Sequence, residues 1–382
     1  MIFYVIVIAT VLNHIAYKGS KVLISLYAIE LGATPFSIGI LYSLYSQFSL
    51  FLALYAGRLS DRLGARIPML IGSLGLGCGL LLPYLLPRLT ALFVSATLIG
   101  TLYIFYTVSV QHLIGAFAAG SDRTRNYGTY SLGIGLTSLL GPTAAGFAID
   151  LIGHQSACLL LALLPAGPVL LLFFSRALPP AAGEDQREGH RTTDLFRNMP
   201  LRRALITAGI IETAGELYNS YMPIYGHSIG LSASRIGIIM GTFAIAVLLA
   251  RVVMPALVRK TSEETVLFGS LSLAALTCVL FPFVGSAYLL AVISFALGLG
   301  LGCCAPLSLI ITYNRAPARR SGEAMGLRQV VNKFTEAMVP LLFGSLGSAF
   351  GVGPAFWMDA LLLAGGAFIM KTDARMRWRS SG

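Results

Sequence analysis

Seven ionisable side chains stand inside stretches that are otherwise almost wholly apolar: His14, Lys18 and Lys21, then Glu212 and Glu216, then Lys333 and Glu336. A charge near the centre of a bilayer costs about 3 kcal/mol or more, so each such residue is a candidate for moving an ion, a proton or a charged substrate. Their spacing places them on helix faces. His14, Lys18 and Lys21 fall at i, i+4 and i+7, Glu212 and Glu216 are one turn apart, and Lys333 and Glu336 are at i, i+3. A carboxyl group in such a place can load and release a proton as its surroundings change, which makes Glu216 the first candidate for proton coupling, Glu212 the second and Glu336 the third. The ammonium groups of Lys18, Lys21 and Lys333 would suit an anionic cargo. Asn13, Tyr17, Tyr42, Tyr45, Gln47, Tyr103, Tyr106, Gln111, His112, Tyr218, Asn219 and Tyr221 supply amide, ring and hydroxyl groups for a pocket. Glu30, Asp150, Arg251, Arg328 and Asp359 sit nearer the ends of apolar stretches and are expected to anchor or pair at an interface.

The elements that must position these groups are membrane helices. The chain has 382 residues, 56% of them hydrophobic and only 11% charged, with a mean hydropathy of +0.79. A soluble domain carries about 25% charged residues, and so few charges cannot cover this much apolar surface in water. Apolar runs of spanning length recur along the whole chain, and the roughly 10-residue alternation of a membrane β-barrel is not seen. The spans expected are 2–29, 36–57, 67–87, 89–117, 127–150, 155–175, 201–226, 234–257, 265–285, 287–314, 322–349 and 354–371. The first run is too long for a cleavable leader and lacks a basic start.

The formal net charge of +11 is scattered in short clusters between apolar runs, which argues against nucleic acid. With the N-terminus in the cytoplasm, the inner loops collect Arg58, Arg62, Arg66, Arg123, Arg125, Arg259, Lys260, Arg315, Arg319 and Arg320, and the tail adds Lys371, Arg375, Arg377 and Arg379. The outer loops keep only Arg88 and Arg235. That asymmetry places both termini in the cytoplasm of what is expected to be a bacterial inner membrane. The five cysteines, Cys78, Cys158, Cys278, Cys303 and Cys304, all lie in apolar segments without a CxxC or a His/Cys cluster; neither a metal nor a cofactor is expected. No GxSxG, HExxH or phosphate-binding glycine loop points to an enzyme.

The two halves of the chain repeat. Leu31–Ile40 resembles Ile229–Ile238, and Tyr127-Gly128, Pro142 and Gly146 match Met325-Gly326, Pro340 and Gly344, both at a separation of 198 residues (237 − 39; 326 − 128). A parallel repeat of six spans is the mark of a transporter built from two bundles related by an axis along the membrane normal. The expected organisation is a six-helix bundle over 1–175, a cytoplasmic linker over 176–200, a second bundle over 201–371 and a tail over 372–382. The same offset sets Glu212 against His14 and Glu216 against Lys18.

Between spans 2 and 3 the chain reads Gly57-Arg58-Leu59-Ser60-Asp61-Arg62-Leu63-Gly64-Ala65-Arg66. This resembles the cytoplasmic loop G-x-x-x-D-R-x-G-x-R of the major facilitator superfamily. Gly57 permits close helix contact, Gly64 a tight turn, and Asp61 is an anion able to meet a helix N-terminus. The resemblance implies that Gly57, Asp61, Arg62, Gly64 and Arg66 form a conformational lock, with Asp61 docked at the start of span 11 near Ser321-Gly322-Glu323. The counterpart loop in the second half is degenerate, with Pro255, Arg259 and Lys260 in place of Gly57, Asp61 and Arg62. Span 5 contains Gly141-Pro142 and Gly146, similar to the Gly-Pro segment of the family's drug/proton antiporters, with Thr137 and Ala145 where glycines would stand.

The resemblance implies an all-α membrane protein of twelve transmembrane helices in two pseudo-symmetric six-helix bundles, with spans 1, 4, 7 and 10 lining a central cavity. There the basic stripe of span 1 would face the acidic stripe of span 7. The function implied is a secondary active transporter, a proton-coupled exporter of a small organic compound, working as a monomer. A carrier of an anionic metabolite is the alternative, and a non-transporting sensor on the same fold a more distant one. The expected partners are a small-molecule substrate, protons and the lipid bilayer.

Overall fold

The computed structural model describes residues 2–116, 121–174, 198–316 and 321–380. Within them the chain is helical, without a strand among the described residues. The helices are α1 (Ile2–Glu30), α2 (Pro35–Leu63), α3 (Arg66–Leu85), α4 (Leu89–Ala116), α5 (Ser121–Leu163), α6 (Ala166–Phe174), α7 (Met199–Ser228), α8 (Ala233–Lys260), α9 (Glu263–Leu280), α10 (Ala287–Arg315), α11 (Ser321–Phe350) and α12 (Gly353–Ser380). Gly153 breaks α5 with a φ of 79°, so the two spans expected over 127–150 and 155–175 meet at that residue. The fold is all-α, twelve transmembrane helices in two sets of six. Eight stretches among the described residues are long and apolar enough to cross a membrane, and Leu132–Phe174 takes in two of the expected spans. Helices α7 and α11, which hold Glu212, Glu216, Lys333 and Glu336, fall outside that apolar set. Of the expected linker over 176–200, residues 176–197 lie outside the described residues and 199–200 begin α7, while α12 continues as helix to Ser380 through the expected tail.

The repeat governs the backbone. Gly32 and Gly230 take left-handed φ values of 80° and 78°, and Gly153 and Gly351 values of 79° and 84°; both pairs are separated by 198 residues (230 − 32; 351 − 153). A side chain at such a position costs about 1–2 kcal/mol, so these turns recur because the chain reverses there in each half. Helix starts are specified locally. Thr34 caps α2 by accepting from the Ser37 N–H at 3.3 Å with Pro35 in the first turn, and Ser262 caps α9 by accepting from the Thr265 N–H at 3.2 Å.

Contacts divide the chain into two compact units. The first is Met1–Gln186 with Pro223–Gly241, and the second is Arg187–Met222 with Thr242–Gly382. In the first, α1 packs along α5 and α4 lies between α2 and α3; in the second, α9 is flanked by α10 and α12. Lipid is as apolar as leucine, so such helices associate through close packing of small residues. At the α1–α5 crossing, a Cβ on Gly141 would stand 2.7 Å from the Cβ of Lys18 and 3.0 Å from the backbone nitrogen of Gly19.

Candidate functional site

In the second unit the acidic and basic residues converge. Glu216 is buried and Glu212 half-buried on α7. Glu212 lies within electrostatic reach of Glu216 on its own helix and of Glu336, Lys333 and Arg328 on α11. The Lys333 ammonium donates to Glu336 Oε2 at 2.5 Å. Three carboxyl groups and two cations therefore share one region between two helices, at helical spacings that put them on facing stripes. Sequence reasoning paired Lys333 with Glu336 but left Arg328 at an interface. The structure buries Arg328 to 8% exposure, with a guanidinium nitrogen 3.5 Å from the Ala305 carbonyl oxygen, beside the acidic cluster. Its position two turns inside α11 was the signal available for that role.

The aromatic residues of α7 do another job. Tyr218 is buried and stacked on Phe243, with ring centroids 4.2 Å apart. The Tyr221 hydroxyl donates to the Phe343 carbonyl. Both are packing residues of the second unit, and Asn219 beside them is half-buried. Asp359 was expected near an interface, but it is 1% exposed and accepts from the Cys278 thiol at 3.5 Å. The correction follows from helix geometry: α12 begins at Gly353, so Asp359 lies more than one turn inside, on the side packed against α9.

In the first unit the three basic residues part company. His14 is buried, with Nδ1 3.1 Å from the Thr10 carbonyl oxygen and 2.8 Å from the Tyr103 hydroxyl. Tyr103 stacks on Tyr17 at 4.5 Å and on Tyr106 at 5.7 Å, and the Tyr106 hydroxyl lies 3.0 Å from Thr10 Oγ1. The Lys21 ammonium sits 5.7 to 5.8 Å from the ring centroids of Tyr17, Tyr42 and Tyr45 and is 7% exposed. Such geometry places a cation on the negative faces of three rings. Lys18 is half-buried beside Gly141. Asn13 donates to Ser73 Oγ at 2.8 Å, which ties α1 to α3. Gln111 is exposed near the end of α4, and the side chain of His112 lies outside the described residues.

The turn between α2 and α3 is partly described. Gly64 ends α2 with a φ of 75°, the left-handed conformation expected of it. Arg62 is exposed, and the side chain of Asp61 lies outside the described residues, as do those of Ser321 and Glu323. A Cβ on Gly57 would meet only Val108, at 4.0 Å, so this position is not crowded. Arg66 turns back on its own unit, donating through Nε to the Leu172 carbonyl at 2.8 Å and through an Nη to that of Phe173 at 2.5 Å. A cation at the C-terminus of α6 satisfies carbonyls that have no helical partner.

The Gly-Pro segment of α5 packs on two faces. Gly141 abuts α1, while a Cβ on Gly146 would collide with the Ala233 carbonyl oxygen, and one on Gly237 would lie 2.6 Å from the Pro142 carbonyl oxygen. Thr143 donates to the Gly237 carbonyl at 3.3 Å. Asp150 accepts from the backbone N–H groups of Ala233 at 3.1 Å and Ser234 at 2.9 Å, the first residues of α8. Asp150 was expected to anchor or pair at an interface; what the sequence did not show is that its partner is the N-terminus of α8. Beyond Gly153, His154 meets Glu30 at 2.6 Å and stacks on Tyr27.

Among the described residues no three His, Cys, Asp or Glu side chains group as metal ligands. The thiols of Cys303 and Cys304 donate to separate carbonyls, those of Ala250 and Gly300.

Curated relatives align with this chain along most of their length. A protein of Citrobacter koseri named multidrug resistance protein MdtG is 25% identical over 348 residues, covering 88% of this chain and 85% of the relative. The protein of that name from Dickeya zeae is 24% identical over 360 residues, covering 90% and 87%. Among solved structures, the nucleoside transporter NupG superposes with a TM-score of 0.75 at 17% identity, covering 97% of this chain and 98% of that one. A POT family transporter in complex with a thioalcohol-conjugated peptide does so with a TM-score of 0.82 at 15% identity, covering 98% and 96%. The profile of the Major Facilitator Superfamily matches residues 6–332 and 204–381. With the loop around Asp61, the 198-residue repeat and twelve helices in two sets of six, the chain is a member of the Major Facilitator Superfamily, a membrane transporter.

Proposed function

We propose that this protein exports a small organic compound in exchange for protons, by alternating access, with Glu216 and Glu212 carrying the proton and Glu336 assisting. The observation that carries the reading is the group of three carboxyl groups and two cations that α7 and α11 bring together. Three acids beside two bases hold a surplus of one negative charge in a site of low dielectric, and a proton or a cation relieves it. Arg328 and Lys333 offset two of the three negative charges, which leaves one for a proton or a cation to balance. The relatives named for multidrug resistance support export of an organic compound.

In this reading the membrane holds both termini on the cytoplasmic side, the lock around Asp61 controls which conformation dominates, and the monomer is the working unit. The bundles are 1–175 and 201–371. Lys18 lines the route on the first bundle together with the Tyr17–Tyr103 stack.

The test is transport by the purified protein in liposomes. Glu212→Gln/Glu216→Gln should still exchange labelled substrate across the membrane. It should fail to accumulate substrate when only a pH gradient is imposed, because glutamine keeps shape and hydrogen bonding but does not titrate. Accumulation equal to wild type would remove these residues from coupling and transfer attention to Glu336.

A further inference from the structure

The second unit carries an apolar groove that the transport reading does not use. It runs between α8, α9 and α10, with a volume of about 470 Å³. Leu249, Val253 and Leu257 form one wall at every fourth position of α8, Gly269 and Leu273 form the other on α9, and Cys303 lies at the floor. These wall leucines and the valine are 38 to 50% exposed. From Leu249 to Leu257 the groove follows α8 for about 12 Å.

Thr261 and Thr265 line the groove at one end, beside the α8–α9 turn, and Ser270 is the one other hydroxyl in its lining. Arg259 and Lys260 end α8 there and are exposed. The nearby acids are engaged elsewhere. Glu264 is 1% exposed and pairs with Arg315 at 3.6 Å, and Glu263 accepts from the Asn314 amide at 3.3 Å. Neither Arg259 nor Lys260 has a carboxylate within ion-pair distance among the described residues. The groove thus ends at two hydroxyl groups, next along the chain to two cations without a carboxylate partner among the described residues.

We infer that this groove is a binding site for one anionic phospholipid, whose acyl chain lies between α8 and α9 and whose phosphate meets Arg259 and Lys260. Basic groups at the mouth of an interhelical cleft recognise anionic headgroups, while the apolar walls take any chain. The inference rests on the membrane reading of α8 to α10 and not on the proton-coupling proposal.

Native mass spectrometry of the full-length protein in mild detergent, titrated with palmitoyl-oleoyl phosphatidylglycerol or the matching phosphatidylcholine, tests it. The wild type should retain one phosphatidylglycerol at a concentration at least fivefold below that needed for phosphatidylcholine. Arg259→Gln/Lys260→Gln should bind the two lipids equally. Gly269→Leu adds a side chain to the groove at a position where a Cβ meets nothing within 4 Å, and should lower retention of both lipids at least fivefold. Val253→Phe, from the opposite wall, repeats that arm should the first variant not purify. No preference in the wild type, a preference that survives in the double glutamine variant, or full retention in both groove-filling variants would each overturn the assignment.

Discussion

Removing the Asp150 carboxylate should loosen the start of α8 and nothing else of comparable size. The two N–H groups it accepts, on Ala233 and Ser234, are among the four that an α-helix leaves without an internal partner. Replacing an N-capping side chain by alanine costs about 1 kcal/mol, within a range of 0.5 to 2. Two contacts at 2.9 and 3.1 Å to an ionised acceptor place Asp150→Ala at the upper end, about 2 kcal/mol, and this equals a factor of about 30 in a local opening equilibrium. Asp150→Asn keeps one acceptor oxygen and loses the charge, so about 1 kcal/mol and a factor near 5 are expected. Ser232 Oγ still lies 3.5 Å from the Arg235 nitrogen, which keeps the effect within the first turn. Hydrogen exchange followed by mass spectrometry, on a peptide covering 229–240, reads this directly. It should exchange faster by those factors, while the equivalent peptide over 31–42, capped by its own Thr34, stays unchanged. If Asp150→Ala leaves the 229–240 peptide within twofold of wild type, the carboxylate contributes no capping energy and the argument from its geometry fails.

Other expectations concern neighbouring parts of the fold. Gly141→Val places carbon within 2.7 Å of Lys18 Cβ and should destabilise the α1–α5 crossing by about 1–3 kcal/mol or more, seen as a lower Tm and poor recovery in detergent. Lys21→Gln removes the cation held by three tyrosine rings and should lower Tm by an amount matching about 1–2 kcal/mol, whereas Lys18→Gln should leave Tm unchanged and weaken only anionic substrates. Asp61→Asn should slow transport while substrate affinity, measured by isothermal titration, stays within a few-fold, because a conformational lock biases populations without touching the ligand. Normal transport with lost binding would contradict that role.

How much of this was legible beforehand depends on the range of the interaction involved. Twelve apolar runs, the gap between the runs 127–150 and 155–175 and the 198-residue offset are properties of local composition and of a repeated stretch of chain, and the helices begin and end close to the places that composition marked. The left-handed turns at Gly32, Gly230, Gly153 and Gly351 were not singled out in the sequence, although such a φ is a local property of one residue. Spacing along a helix was readable. Glu212 and Glu216 share a face for the same reason that Lys333 and Glu336 do.

Which helix faces which was not readable, and that decided the chemistry. His14, Lys18 and Lys21 form one stripe in sequence, yet the first joins a tyrosine stack, the second packs beside Gly141 and the third is enclosed by three rings. Their fates differ because α2, α4 and α5 supply different neighbours to successive turns of α1. Arg328 and Asp359 looked like interfacial charges by position, and only the packing of α11 and α12 buries them. Asp150 was expected to anchor or pair at an interface, and only the fold brought the N–H groups of α8, 83 and 84 residues away along the chain, to its two oxygens. A sequence by itself determines where the chain crosses lipid, because burying a peptide group in hydrocarbon is costly at every position and must be met within the helix. The partner of a buried charge is a matter of geometry between helices, and that is set only when small residues such as Gly141 and Gly146 allow two backbones to touch.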